Sequence, residues 1–390
     1  MTVTVLVGPT GRRPLGATAR SLADAAELAT RLRERGRDVR LVSALEPTAL
    51  QHDDAAPAAA LVDADIFEPA PAGAQRHDGI SAAGPIARRL AQEAPEGTVH
   101  AVGWRAAAVA ATARASTGTP VVAHADQLPS WPGDDRLDGS VLGRLGWAAL
   151  AAADAVLVEN EWARGVATQR GVPKPTLHVA NPGLSSPTDL DPVVVPADGG
   201  VVVLSVGDPA DVGALRPVAE AVLHHPGARL VVGRTTGLDE ATAGVVKERL
   251  RTLPVVRRLG TRCVVERRPA DLVCPEAHLV VDVSTQPGRG LGVLAAMAAC
   301  RAVVVSGTGG ADEMVVDRVT GLVVEPRDRT GTRAAVADLL SDAFRLEAYG
   351  LAGHERVGAT YAPDRFVDTV VGLHDDLSDR RTGPAQEVLA

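Results

Sequence analysis

Short runs of β-branched and aliphatic residues recur along this chain, each separated from the next by a stretch of helical periodicity. That alternation restricts the fold more than any single motif. Val3 to Val7 ends at Gly8, the segment Ser21 to Arg35 places Leu22, Ala25, Ala29 and Leu32 on one helical face, and Val39 to Val42 follows Gly36. A strand, a helix and a second strand in this order form a βαβ opening, because parallel strands buried on both faces read as unbroken apolar runs. Further runs lie at Val99 to Val102, Pro120 to Ala123, Ala155 to Val158 and Leu177 to Ala180, with a helix predicted over Arg105 to Ala115.

Between Leu184 and Gly200 the sequence turns to Ser, Pro, Asp and Gly, the composition of a linker. A second α/β series then begins. Its strands are predicted at Val201 to Val206, Arg229 to Val232, Leu279 to Val283, Ala302 to Val305 and Leu322 to Val324, with helices around 212–223, 238–252, 291–299 and 331–345. The reading is α/β: two Rossmann-like doubly wound domains, residues 1–190 and 200–362, facing across a cleft. A last helix over 363–378 crosses back to the first domain, and 379–390 form a loose tail.

With 390 residues, 46% of them hydrophobic and 23% charged, the chain has enough material for two packed domains. A net charge of −8 gives it no grip on a polyanion, so nucleic acid is not an expected partner. Only Lys174 and Lys247 are lysine; the many arginines match the heavy use of Ala, Val and Gly, which weakens any argument from a surface arginine. Cys263, Cys274 and Cys300 are too few and too scattered for a disulfide framework or a zinc cluster. No apolar run approaches a membrane span and none at the N-terminus makes a leader, so a cytoplasmic location is expected. No metal-ligand spacing appears among the ten histidines, and neither a metal nor a cofactor is expected.

From Val281 to Val324 the chain resembles the donor-site signature of the retaining glycosyltransferases of family 4, which have the GT-B fold and use nucleotide-sugar donors. Gly16 falls on the first of two glycines in that family's phosphate-side loop. His124 matches its acceptor-side histidine, and Ala153-Asp154-Ala155-Val156 its Ala-Asp-x-Val. Gly309, Gly310 and Glu313 keep its Gly-Gly-x-x-Glu, and Thr320-Gly321 its Thr-Gly. Gly207 and Gly213 retain glycines after the first strand of the second domain.

The likeness fails at charged positions. The family's Glu-x7-Glu, whose carboxylates serve the sugar and the ribose, falls on Pro287 and Ala295. Its diphosphate-binding Arg and Lys fall on Asp208 and, within one residue, Val212; the second early glycine is Ala17. The resemblance implies a transferase moving a sugar or cyclitol from a nucleotide-sugar to a small polar acceptor with retention. The lost charges leave open a silent or partner-dependent relative, or a non-glycosidic coupling on the same fold.

On that reading His124 and Glu313 are the catalytic candidates, each with a structural alternative: a hydrogen-bonded strand-end histidine and a solvated helix carboxylate. Gly16, Gly207, Arg289, Thr308, Gly309 and Gly310 are the donor-binding candidates. Backbone N–H groups at a glycine-rich helix start face anions well, although glycine also serves any turn of positive φ. Arg289 stands where the family has an aromatic and could pair with phosphate bidentately. Trp131, in the loop 127–135, and His100 are the acceptor-side candidates, since sugar rings stack on aromatic faces while tryptophan as often anchors a core. A protein partner remains possible beside the two substrates.

Overall fold

The computed structural model describes residues 2–7, 15–43, 65–66, 83–93, 97–126, 128–129, 140–184, 200–209, 211–235, 237–285 and 289–382. The chain divides into two compact units, one of Met1–Asn181 with Phe366–Ala390 and one of Pro182–Arg365.

In the first unit, strands β1 (Thr2–Val7), β2 (Asp38–Ser43), β3 (Asp65–Ile66), β4 (Thr98–Val102), β5 (Val121–His124), β6 (Ala155–Val158) and β7 (Leu177–Val179) form one parallel sheet in the order β3-β2-β1-β4-β5-β6-β7. Its helices are α1 (Leu15–Glu34), α2 (Ala83–Glu93), α3 (Trp104–Thr117), α4 (Val141–Ala151) and α5 (Glu161–Gln169). Alternate residues serve the two faces. Leu6, Val99, Ala101, Val121, Ala123, Val156 and Val158 pack beneath residues of α2 to α5. Val3, Val5, Val7, Val102, Val122, Ala155 and Leu157 pack against Ala25, Leu28, Ala29 and Leu32 of α1 and against the chain's last helix. Both faces are covered, which is why the strands read as continuous apolar runs.

The second unit has strands β8 (Val202–Ser205), β9 (Arg229–Arg234), β10 (Cys263–Pro269), β11 (Leu279–Asp282), β12 (Ala302–Ser306) and β13 (Leu322–Val324), parallel in the order β10-β9-β8-β11-β12-β13. Its helices are α6 (Val212–His224), α7 (Glu240–Arg251), α8 (Pro254–Leu259), α9 (Ala270–Val273), α10 (Leu291–Ala298), α11 (Ala311–Met314), α12 (Arg329–Leu340) and α13 (Ala343–Thr360). Every residue of α10 is buried, so this helix is apolar all round and reads as a core element rather than an amphipathic one.

Beyond short elements such as β3, α8 and α9, three differences from the sequence reading have a physical reason. β10 goes unpredicted because it is an edge strand whose Glu266, Arg267 and Arg268 break the apolar run. The helix predicted over 331–345 is two helices: the chain turns at Ser341, and Asp342 starts α13 by accepting from the Arg345 N–H at 3.0 Å. The last helix, α14 (Pro363–Thr382), runs past 378, so residues 379–382 are helical rather than tail. Its Phe366, Val367, Val370, Leu373 and Leu377 belong to the core of the first unit. Among the described residues no helix is long and apolar enough to cross a membrane.

Candidate functional site

In an open parallel sheet, ligands bind outside the carboxyl ends of the strands where the strand order reverses. In the second unit that point lies between β8 and β11. The loops leaving β8, β11 and β12 meet there and are joined by hydrogen bonds. Asp211 caps α6, its Oδ1 accepting from the Ala214 N–H at 3.1 Å, while its Oδ2 accepts from the Thr285 hydroxyl and from the Thr285 N–H at 3.3 Å. The Ser306 hydroxyl donates to the Ser284 carbonyl at 3.1 Å. Gly207 sits against this group so closely that a Cβ there would lie 3.0 Å from Asp282 Oδ1 and 3.1 Å from the Ser284 Cβ, which explains the glycine.

Asp282 ends β11 at this point. Its residue surface is part exposed, yet its carboxyl is enclosed by protein; burial pushes its pKa up, and the Ser284 N–H at 3.4 Å partly offsets the shift.

After β12 the chain turns through Gly309 (φ 75°) and Gly310 (φ 89°) into the single turn of α11. Both conformations are left-handed, so the glycines are needed for the turn itself. Thr308 is half-buried and its N–H donates to the Ser306 carbonyl at 2.7 Å. Glu313 is half-buried. Its main-chain carbonyl accepts from Arg356 Nη2 at 3.1 Å and the Tyr361 hydroxyl at 3.3 Å, and Arg356 Nε donates to the Met314 carbonyl at 2.8 Å, so α13 and the residue after it hold α11 in place. Arg289 is half-buried, one residue before Gly290 (φ 66°) and the start of α10. The structure therefore gathers Gly207, Thr308, Gly309, Gly310, Glu313 and Arg289 on the loops that follow β8, β11 and β12 or on the turn they lead into. Pro287 lies outside the described residues, and Ala295 is 7% exposed in the interior helix α10.

The first unit corrects three expectations, at His100, His124 and Gly16. His100 is 0% exposed, in the middle of β4, with Nδ1 3.1 Å from His374 Nε2 of α14. No acceptor can reach it. His124 does end β5 at the carboxyl edge, but its ring is 2% exposed, 3.9 Å from Glu159 Oε1 and 5.2 Å between centroids from Phe366. The strand-end position is legible in sequence; the face is not. Residues 100, 102, 122 and 124 all point to the side that α1 and α14 cover. Burial holds His100 well below the ordinary histidine pKa, with His374 and His124 acting in the same direction.

Gly16 is the second residue of α1, inside a helix rather than in a loop. Trp131 lies outside the described residues. Trp104 and Trp147 are buried core anchors, and Trp162 packs partly buried against the same core. Among the described residues no three His, Cys, Asp or Glu side chains are placed to hold a metal.

Two retained motifs prove to be scaffold. Asp154 Oδ2 accepts from the Val121 N–H at 2.9 Å and its Oδ1 from Arg114 Nη2 at 2.5 Å, tying β5, β6 and α3 together. Thr320 Oγ1 accepts from the Val316 N–H at 2.8 Å, and a Cβ on Gly321 would strike Val303 at 2.6 Å. Sequence reasoning missed the Asp211–Thr285 link, and it passed over Arg105, the second residue of α3, for want of any signal separating it from the chain's other arginines.

Two family models match the chain: "Glycosyltransferase Family 4" over residues 25–185 and "Glycosyl transferases group 1" over residues 215–342. A GDP-mannose-dependent α-(1-6)-phosphatidylinositol monomannoside mannosyltransferase from Mycolicibacterium smegmatis is 41% identical over 90 residues, covering 20% of this chain and 24% of that protein. Its counterpart from Mycobacterium tuberculosis is 40% identical over 101 residues, 23% of this chain and 26% of that protein. The aligned stretch thus spans about a quarter of these relatives. Over nearly the whole chain the structure is similar to Anabaena HepE in complex with UDP (TM-score 0.73, 16% identity, 96% of this chain and 100% of that one). It is equally similar to sucrose-phosphate synthase from Thermosynechococcus elongatus (TM-score 0.74, 18% identity, 97% and 100%). At these identities the likeness is one of fold. With a family 4 model on its N-terminal half, a group 1 model on its C-terminal half and this fold throughout, the chain has the two-domain architecture of a GT-B glycosyltransferase.

Proposed function

We propose that the chain transfers a sugar, or a sugar-like cyclitol, from a nucleotide-sugar to a small polar acceptor with retention at the anomeric carbon. The observation that carries this reading is the meeting of Gly207, Ser284-Thr285 and the Ser306–Gly310 turn at the strand-order reversal of the second unit. Gly207, Thr308, Gly309 and Gly310 would present backbone and hydroxyl donors to the diphosphate, Arg289 a guanidinium, and Glu313 a carboxylate to the sugar. The C1–O bond to the diphosphate breaks with its electron pair leaving on oxygen. The acceptor oxygen forms the new C1–O bond on the same face, and its proton departs with the diphosphate. Catalysis of this kind is orientation plus stabilisation of the leaving charge, with no metal required. In the first unit His124 acts through its carbonyl, which accepts from the Gly103 N–H at 2.8 Å and so positions the turn into α3.

The donor site is a weakened one. Ala295 offers no carboxylate to a ribose, Asp208 puts negative charge where the family has one cation, and Val212 stands, within one residue, where it has the other. A turnover that is slow or needs a protein partner follows. The relatives use GDP-mannose, and HepE structures hold UDP or UDP-glucose, so the test is a panel of UDP- and GDP-sugars with polyol acceptors, followed by NMR of the product anomer. An α-donor consumed only with acceptor and giving an α-product supports the proposal. An inverted product, or no consumption with any pair, overturns it.

A further inference from the structure

The first unit has its own strand-order reversal, between β1 and β4, and the chain leaves β4 there through Gly103 into Trp104 and Arg105. Trp104 is 5% exposed and held from behind: a Cβ on Gly146 of α4 would lie 2.9 Å from its ring and 2.6 Å from Pro129. The Arg105 guanidinium carbon stands 4.3 Å from the centroid of that fixed ring. Stacking on an immobile indole fixes the guanidinium plane and leaves its N–H edge as the binding surface.

That edge is not used by the protein. Arg105 Nε is shielded from solvent with no hydrogen-bond partner, and among the described residues Arg105 makes no hydrogen bond or ion pair at all. The buried Asp126 carboxylate, which follows β5, is near enough to oppose the effect of burial on the guanidinium, yet it does not pair with it. A half-buried cation whose Nε is shielded and unpartnered costs stability that a ligand bound at its remaining N–H groups can offset, and such groups collect at functional sites.

We propose that Arg105 is the anion subsite of the acceptor: the molecule that receives the sugar carries a phosphate group, whose oxygens take the N–H edge of the stacked guanidinium. The same chemistry is offered by a free phosphorylated polyol and by a phospholipid headgroup. This rests on the glycosyltransferase reading for the word acceptor, though not for the binding itself.

The test is calorimetric titration of the full chain, without nucleotide, with glycerol, with glycerol phosphate, and with phosphatidylcholine vesicles lacking or containing phosphatidylglycerol. Glycerol phosphate should bind and glycerol should not; a gain with anionic vesicles beyond that for the soluble phosphate assigns the group to a lipid, and its absence to a soluble acceptor. Arg105→Gln should weaken the anion about ten- to a hundredfold, the loss expected for charge-assisted hydrogen bonds, with its melting temperature no lower than that of the parent. Equal binding of glycerol and glycerol phosphate by the parent chain overturns the proposal even if the variant does not fold. So does an Arg105→Gln chain that loses a nucleoside diphosphate but keeps glycerol phosphate. Nucleotide binding without phosphate preference defeats this subsite alone; phosphate preference without nucleotide binding defeats the glycosyltransferase reading instead.

Discussion

His100 Nδ1 lies 3.1 Å from His374 Nε2, joining the middle of β4 to the last helix across 274 positions of sequence. A third imidazole, His124, stands 6.2 Å from His100 between ring centroids, with Glu159 beyond it, while Arg37 and Asp375 form an ion pair at 2.6 Å near His374. Burial first, then the Arg37 charge, lower the His374 pKa to about 4, with Asp375 opposing, and burial lowers His100 as well. Both rings are therefore neutral in the folded chain while an unfolded histidine titrates near 6.5.

Above pH 6.5 neither state binds a proton at these sites and stability does not change. As the pH falls from 6.5 towards 4 the unfolded chain takes up protons that the folded chain refuses. His374 alone then removes up to roughly 3 kcal/mol. Urea denaturation at pH 7.5, 6.0 and 5.0 should show a falling midpoint, and His374→Leu should flatten that fall. A midpoint independent of pH across this range contradicts the buried neutral cluster.

Asp211 holds two loops of the second unit together and occupies the start of α6 with a negative charge. Asp211→Ala should cost about 1 to 2 kcal/mol of stability through the lost cap. It should also tighten nucleoside diphosphate binding, because a carboxylate no longer competes for the helix start. Chemical denaturation and calorimetry on the same variant check both; weaker nucleotide binding would show that Asp211 organises the site rather than opposing it.

Two glycines separate packing from backbone conformation. A Cβ on Gly350 of α13 would sit 2.1 Å from the Cys300 carbonyl oxygen, a backbone atom that cannot give way. Gly118 has φ 67° but open space around its missing Cβ. Gly350→Ala should therefore destabilise by about 2 to 4 kcal/mol, and Gly118→Ala only by the roughly 1 kcal/mol of left-handed strain. Equal costs in thermal denaturation would contradict the close approach of α13 to the turn after α10.

How much of this was legible in the sequence depended on what each residue faces. The parallel strands β5, β6, β8, β11 and β12 announced themselves because burial on both sides leaves no polar alternation, whereas β10, at a sheet edge and carrying Glu266 to Arg268, did not. Gly309 and Gly310 were found because positive φ demands glycine. His124 was found as a strand end, but one residue of register decides whether a side chain meets solvent or the core, and the Phe366 ring against it, like the His374 ring against His100, comes from the far end of the chain. Asp154 and Thr320 matched family motifs for scaffold reasons that no spacing reveals. Arg105 was invisible among so many arginines; only its stacked, unpaired geometry distinguishes it.

The central claim is that a nucleoside diphosphate binds the loops after β8, β11 and β12, and binds weakly. Calorimetric titration of the purified chain with UDP, GDP, ADP and dTDP tests it most directly. A missing ribose carboxylate costs about ten- to a hundredfold in affinity, and the missing cations cost more. The account predicts saturable binding of one nucleotide with a dissociation constant well above micromolar, accompanied by a thermal stabilisation of about 2.7 kcal/mol at a hundred times that concentration. Micromolar or tighter binding with rapid, partner-free turnover would contradict the weakened site, and no binding of any of the four would contradict the donor site itself.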